Sequence, residues 1–166
     1  MSATRRFPQV EPPPRRGEVS ARTSGRGEGA PVGRLLIQTG AITPEVLEAA
    51  LLTQRRTFRP LGHILRTDHG LSAEALAAVI RRQSYIPRVF LRFFPIQETV
   101  VKLLSQRLCA ERELVAFELL GDLLCVAFSN PAQRGLVLQL RAETGYEIAV
   151  YHAPWDDIQK IVKKEA

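Results

Sequence analysis

Apolar residues between positions 31 and 83 recur at i, i+3, i+4 and i+7, the spacing of one helical face, and the pattern occurs twice. Leu47, Ala50, Leu51 and Gln54 share one such face; Leu76, Val79, Ile80 and Gln83 share the next. The two stretches belong to an ungapped internal repeat, PVGRLLIQTGAITPEVLEAALLTQ at 31–54 and PLGHILRTDHGLSAEALAAVIRRQ at 60–83, separated by five residues. Twelve of its 24 positions agree in kind, and they fall where a helix–turn–helix needs them. Each unit predicts a short first helix, a turn at Gly40 or near Gly70, and a second helix capped by Thr43 or Ser72. Pro44 and Glu45 suit the first turn of the second helix, where a missing N–H is harmless and negative charge meets the positive dipole end. The expectation is a four-helix lobe over residues 31–86.

After Pro87 the period changes. Residues 97–106 read as one amphipathic helix carrying Val100, Val101, Leu103 and Leu104. ELVAFELL at 113–120 and LLCVAF at 123–128 read as strands joined by the two-residue hairpin signal Gly121-Asp122. Asn130-Pro131 opens a helix that runs to Thr144 and stops at Gly145; Tyr146–His152 alternates as a third strand. A final helix from near Pro154 turns Trp155, Ile158, Ile161 and Val162 inward. The fold class is therefore α+β: a tandem helix–turn–helix repeat followed, over residues 87–166, by a small three-stranded sheet packed with helices. Residues 1–30, rich in Pro, Gly, Ser and Arg, bury too little apolar area to offset ordering and read as a disordered basic tail.

Charge narrows the classes of partner. Of the net +6, residues 1–30 contribute +3, residues 31–83 another +3 and the remainder none, so an anion should meet the tail or the repeat. No apolar run approaches the roughly 18 residues that span a bilayer, and no secretory signal follows the N-terminal arginines, which suits a cytoplasmic protein. Cys109 and Cys125 form no CxxC pair and read as reduced, apolar side chains. Catalytic signatures are missing. The Gly-rich run around residues 25–33 follows no strand and lacks the P-loop lysine; His63, His69 and His152 stand apart; the carboxylates of the C-terminal part alternate with bases and look like solvated surface. No enzyme, no metal site and no bound cofactor are expected.

Two features stand out chemically. Gln54 and Gln83 occupy places on the helical stripe that call for an apolar residue. A buried amide needs partners, so each either binds backbone of the neighbouring unit or faces a ligand whose edge offers donors and acceptors together, as a nucleobase does. Gly33 and Gly62 open each first helix, where a missing side chain and free N–H groups permit close approach of a phosphate or base.

The repeat, with its 24-5-24 spacing, resembles the MshEN-type signature found at the N-terminus of the ATPases that power type II secretion and type IV pilus assembly. LLCVAFSNPAQRGLVLQLRAETGYEIAVYHAPWDDIQKIV is similar to the remainder of that N-terminal domain, so the resemblance covers about residues 31–164. It implies cyclic di-GMP as a ligand and docking on inner-membrane assembly components. The matching positions are Val32, Gly33, Leu36, Ile37, Gly40, Leu47 and Gln54 in the first unit, and Leu61, Gly62, Leu65, Leu71, Leu76 and Gln83 in the second. The motif's leading Arg is Pro31 and Pro60 here, which implies weakened or lost cyclic di-GMP binding, with Arg34 or Arg59 the nearest substitutes. The second unit carries His69 where the motif has Gly, and Asn130 stands for the usual Asp before Pro131. The family's ATPase domain is absent from these residues.

The leading expectation is a non-catalytic regulatory or docking module that meets a secretion or pilus assembly protein, or a separate ATPase, and is recruited to the inner membrane through it. The alternative is a cyclic di-GMP sensor. A nucleic-acid binder is disfavoured, because the positions that would read bases, Val46 to Leu52, are mostly Ala and Leu.

Overall fold

The computed structural model describes residues 32–83 and 85–164; the N-terminal tail and Pro31 lie outside them. The first repeat forms α1 (Val32–Gln38) and α2 (Pro44–Thr57), the second α3 (Leu61–His69) and α4 (Ala73–Arg81). Thr43 Oγ1 accepts from the Val46 N–H at 3.3 Å and Ser72 Oγ from the Ala75 N–H at 3.1 Å, so both expected caps form. Gly40 and Gly70 take the left-handed conformation at φ +70° and +69°. The displaced glycine of the second unit lengthens α3 without shifting the repeat, since the Ile42 N–H reaches the Leu36 carbonyl and the Leu71 N–H the equivalent Leu65 carbonyl. Within the lobe α1 lies against α4 and α2 against α3, over Leu36, Ala50, Ile64, Leu65, Leu76 and Val79.

The stretch expected as one helix over 97–106 is two. α5 spans Glu98–Val101; Ser105 then caps α6, Gln106–Arg112, by accepting from the Leu108 N–H at 3.2 Å. Leu104 stays buried across the break, so the apolar pattern runs on although the helix does not. β1 (Leu114–Leu120) and β2 (Leu123–Phe128) pair antiparallel about the Gly121-Asp122 turn. The expected helix after Asn130 begins as a 3-10 turn, Pro131–Gly135, kinked at Gln133, before α7 (Leu136–Thr144). β3 (Glu147–His152) returns parallel to β2, giving the order β1-β2-β3, and α8 (Trp155–Lys164) closes the chain. Among the described residues this makes eight α-helices on a three-stranded mixed sheet, an α+β fold. Buried side chains of both halves form one continuous cluster, from Leu36 through Val126 to Val162. Two ion-paired arginines also bind the halves. Arg81 holds Asp122 at 2.5 Å and Glu147 at 2.8 Å, and Arg66 holds Glu118 at 3.0 Å.

Candidate functional site

Between the repeat lobe and the sheet lies a cavity of about 490 Å³, within the range of about 300–1,000 Å³ common for small-molecule sites. One wall is the repeat. Val32, Gly33, Arg34, Leu47, Leu51 and Gln54 come from the first unit; Pro60, Leu61, Gly62, His63, Leu76, Ile80 and Gln83 come from the second. Equivalent positions of both units therefore meet at one cavity.

The two glycines set that wall by close packing. A Cβ on Gly33 would lie 2.8 Å from Leu47 Cδ1, and one on Gly62 would lie 2.9 Å from Leu76 Cδ2. Each missing side chain lets the first helix of its unit settle on a leucine of the second, which holds that leucine at the cavity edge. Gln54 Nε2 donates to the Arg59 carbonyl over a long 3.4 Å, to the link between units, while the side chain also lines the cavity. Gln83 lines it too, half-buried.

The opposite wall comes from a segment with no periodicity in the sequence. Tyr85, Arg88, Val89, Phe90, Phe93 and Phe94 line the cavity because residues 87–89 run beside β3, with the Val89 N–H donating to the His152 carbonyl at 2.9 Å. Phe58, in the left-handed region at φ +58°, ends α2 and stacks on Phe93 with ring centroids 5.6 Å apart. Phe94 meets Phe117 edge-on at 5.0 Å, and Phe117 meets Tyr151 at 5.1 Å. Such ring arrays offer flat apolar faces on which a base can stack.

Sheet register decides what forms the floor. Ala116 pairs with Val126 but Glu118 with Cys125, so Phe117 is an extra residue, a β-bulge. Paired residues share a face, and Cys125 shares one with Ala127, the partner of Tyr151. The bulge thus moves Glu118 off the face of Ala116 and onto that of Tyr151, towards the repeat. Glu118 is not the solvated surface carboxylate expected of this part of the chain: its side chain is 14% exposed and paired with Arg66.

The cavity's electrostatics follow from this placement. Burial raises the Glu118 carboxyl above its ordinary range, and the Arg66 guanidinium only partly offsets it. Burial, then the nearby Arg59 and Arg66 charges, lower His63, which keeps its imidazole neutral at pH 7. Burial raises Tyr85 and Tyr151, and Tyr151 shares a hydrogen bond with the buried Cys125 thiol. Arg34 and Arg88 are exposed at the rim, Arg88 lying 5.1 Å above the Phe90 ring. An aromatic and aliphatic cleft with two amides, a cationic rim and one buried carboxylate suits a planar, polar-edged anion.

Among the residues singled out in the sequence, Val32, Gly33, Arg34, Leu47, Gln54, Leu61, Gly62, Leu76 and Gln83 line the cavity. Leu36, Leu65 and Leu71 are core. Ile37 lies half-buried on α1, and Gly40 serves the turn that follows it. Arg59 is held away by Asp68, at 2.6 and 3.4 Å, leaving Arg34 as the substitute that reaches the site. Sequence reasoning missed Phe58, Tyr85, Arg88, Phe93, Phe94, Phe117, Glu118 and Tyr151. Their one signal was the density of aromatic residues between 85 and 94. Among the described residues no cluster of three or more His, Cys, Asp or Glu is able to hold a metal ion, and no helix is long and apolar enough to cross a membrane.

Comparison with known proteins places the chain. The model of the MshEN domain family matches residues 85–164. The type IV pilus assembly ATPase PilB of Myxococcus xanthus (strain DK1622) is 23% identical over 133 residues, 80% of this chain and 24% of that relative. The chain thus spans about a quarter of PilB, and an alignment of that length reaches well into the repeat. A solved structure of MshE with cdg is 25% identical, with a TM-score of 0.46, over 82% of this chain and 99% of that one. The N-terminal domain of XpsE is 19% identical, with a TM-score of 0.42, over 80% and 93%.

Proposed function

Residues 85–164 belong to the MshEN domain family, and on that footing we propose that the chain is a non-catalytic regulatory module of a type II secretion or type IV pilus assembly system that binds cyclic di-GMP. One observation carries the reading. A single cavity gathers equivalent residues of both repeat units, the two glutamines included, against the aromatic segment of the MshEN region. A ligand with two like halves suits a wall built twice from one motif. The rim supports it too. Pro60 stands where the motif's second Arg would be, and Arg34 and Arg88 bring guanidinium groups to the same opening, so the cavity retains cations for two phosphates. Binding falls in the micromolar range, about −8 kcal/mol, weaker than a site with the motif arginines would reach.

Calorimetric titration of the full chain with cyclic di-GMP tests this. Saturable one-to-one binding that weakens about tenfold or more in both Gln54→Ala and Arg88→Ala supports it, since a hydrogen bond to a charged group or a buried amide is worth about that much. No heat up to about 1 mM ligand, a binding energy weaker than about −4 kcal/mol, overturns it. In that event the docking reading remains. It draws on Leu138, 75% exposed on α7, as an apolar contact for an assembly protein or a separate ATPase that would bring a cytoplasmic module to the inner membrane.

A further inference from the structure

A carboxylate in an anion-binding cleft is a contradiction unless it has donors to accept, and Glu118 is one. It faces a cavity whose rim carries Arg34 and Arg88 and whose proposed ligand bears two negative phosphates. Repulsion and desolvation both disfavour it there, yet the β-bulge at Phe117 turns it inward. Its Oε1 is committed to Arg66 at 3.0 Å; no bond engages Oε2 among the described residues. An ionised carboxylate only accepts hydrogen bonds. A ligand group placed against it must therefore present donors, and it lies beside the Phe94–Phe117–Tyr151 ring array, where a planar group stacks.

Resting on the reading of the cavity given above, we propose that Glu118 selects the base: its carboxylate accepts the adjacent N1–H and N2–H donors of guanine, and excludes adenine. Adenine presents an unprotonated N1 and no 2-amino group on that edge, so its lone pair meets the carboxylate instead of a hydrogen. The guanine 2-amino group is the donor that separates G from A wherever that side of the base is read. Arg66 acts as a positioning residue that fixes the carboxylate plane from outside the cavity. The two glutamines, which donate and accept at once, tolerate either purine; Glu118 does not.

The test compares cyclic di-GMP, cyclic di-AMP and cyclic di-IMP, whose inosine lacks the 2-amino group, on the full chain and on Glu118→Gln. The natural chain is expected to prefer cyclic di-GMP over cyclic di-AMP by about a hundredfold, with cyclic di-IMP about tenfold below cyclic di-GMP, one step for each lost donor. In Glu118→Gln the cyclic di-GMP affinity drops about tenfold or more and the three ligands converge. Glu118→Gln that keeps the full preference, or a natural chain that binds all three alike, overturns the inference and leaves the cavity reading standing. A natural chain that binds none of them removes both. The ligand series on the natural chain decides the matter alone should the variant fail to fold.

Discussion

Gly62→Ala probes the close packing that builds the cavity wall. The added Cβ would lie 2.9 Å from Leu76 Cδ2 and 3.4 Å from Cδ1, and Leu76 is 2% exposed. Its side chain can yield only by turning into the cavity it lines. Overpacking of this kind costs about 1–3 kcal/mol, and alanine in place of glycine in a helix returns up to about 1 kcal/mol. The net expectation is a loss of about 0–2 kcal/mol, with the leucine methyls displaced into the space a ligand needs. Chemical denaturation reads the first quantity; titration with cyclic di-GMP reads the second, expected to weaken about tenfold or more. Gly33→Ala should behave alike against Leu47, 2.8 Å away, with a smaller stability loss because Leu47 is only half-buried. A gain of about 1 kcal/mol in Gly62→Ala, with ligand affinity unchanged, would refute the reasoning. It would mean that Leu76 has slack and that the glycine is not there for contact.

Glu118→Gln at pH 7 should melt at the same temperature as the natural chain or higher. Burial raises the Glu118 carboxyl above its ordinary 4.5, so its share of stability is full below that value and lost as the pH rises through the raised one. The difference between variant and natural chain should shrink as the pH is lowered towards 4.5, with Arg66, Tyr151 and Cys125 the groups that face it; a variant that melts well below the natural chain at pH 7 contradicts the assignment. Ser105→Ala removes the cap of α6 and should cost about 1 kcal/mol, which a denaturant melt reads as a lower midpoint at unchanged slope.

Local signals were legible in the sequence because they act over a few residues. Thr43 and Ser72 cap, Gly70 turns one place late, and Gly121-Asp122 makes the hairpin, each through contacts within about one turn of chain. The repeat itself announced that Gln54 and Gln83 hold equivalent places, and both reach the cavity. What remained hidden depended on distance or on parity. Ser105 begins a second helix, but Leu103 and Leu104 carry the apolar pattern across the break and mask it. A single extra residue at Phe117 reverses which face Glu118 occupies, and nothing in ELVAFELL marks it. Arg88 and Phe90 become a cavity wall only because residues 87–89 run beside β3, more than sixty residues onward. The arginine at Arg59, adjacent to the motif in sequence, is taken by Asp68, whereas Arg88, remote from it, reaches the rim.

The central claim is that a cyclic dinucleotide occupies the cavity between the repeat and the sheet. Amide chemical-shift mapping of the isotopically labelled full chain during titration with cyclic di-GMP tests it most directly. The account predicts saturable shifts at Gly33, Gly62, Gln83, Phe90 and Glu118, which surround the cavity, and still resonances at Cys109 and Val162, which lie at the far side of the sheet beside α6 and α8. Shifts confined to the exposed face of α7 around Leu138, or no shifts at millimolar ligand, would contradict it.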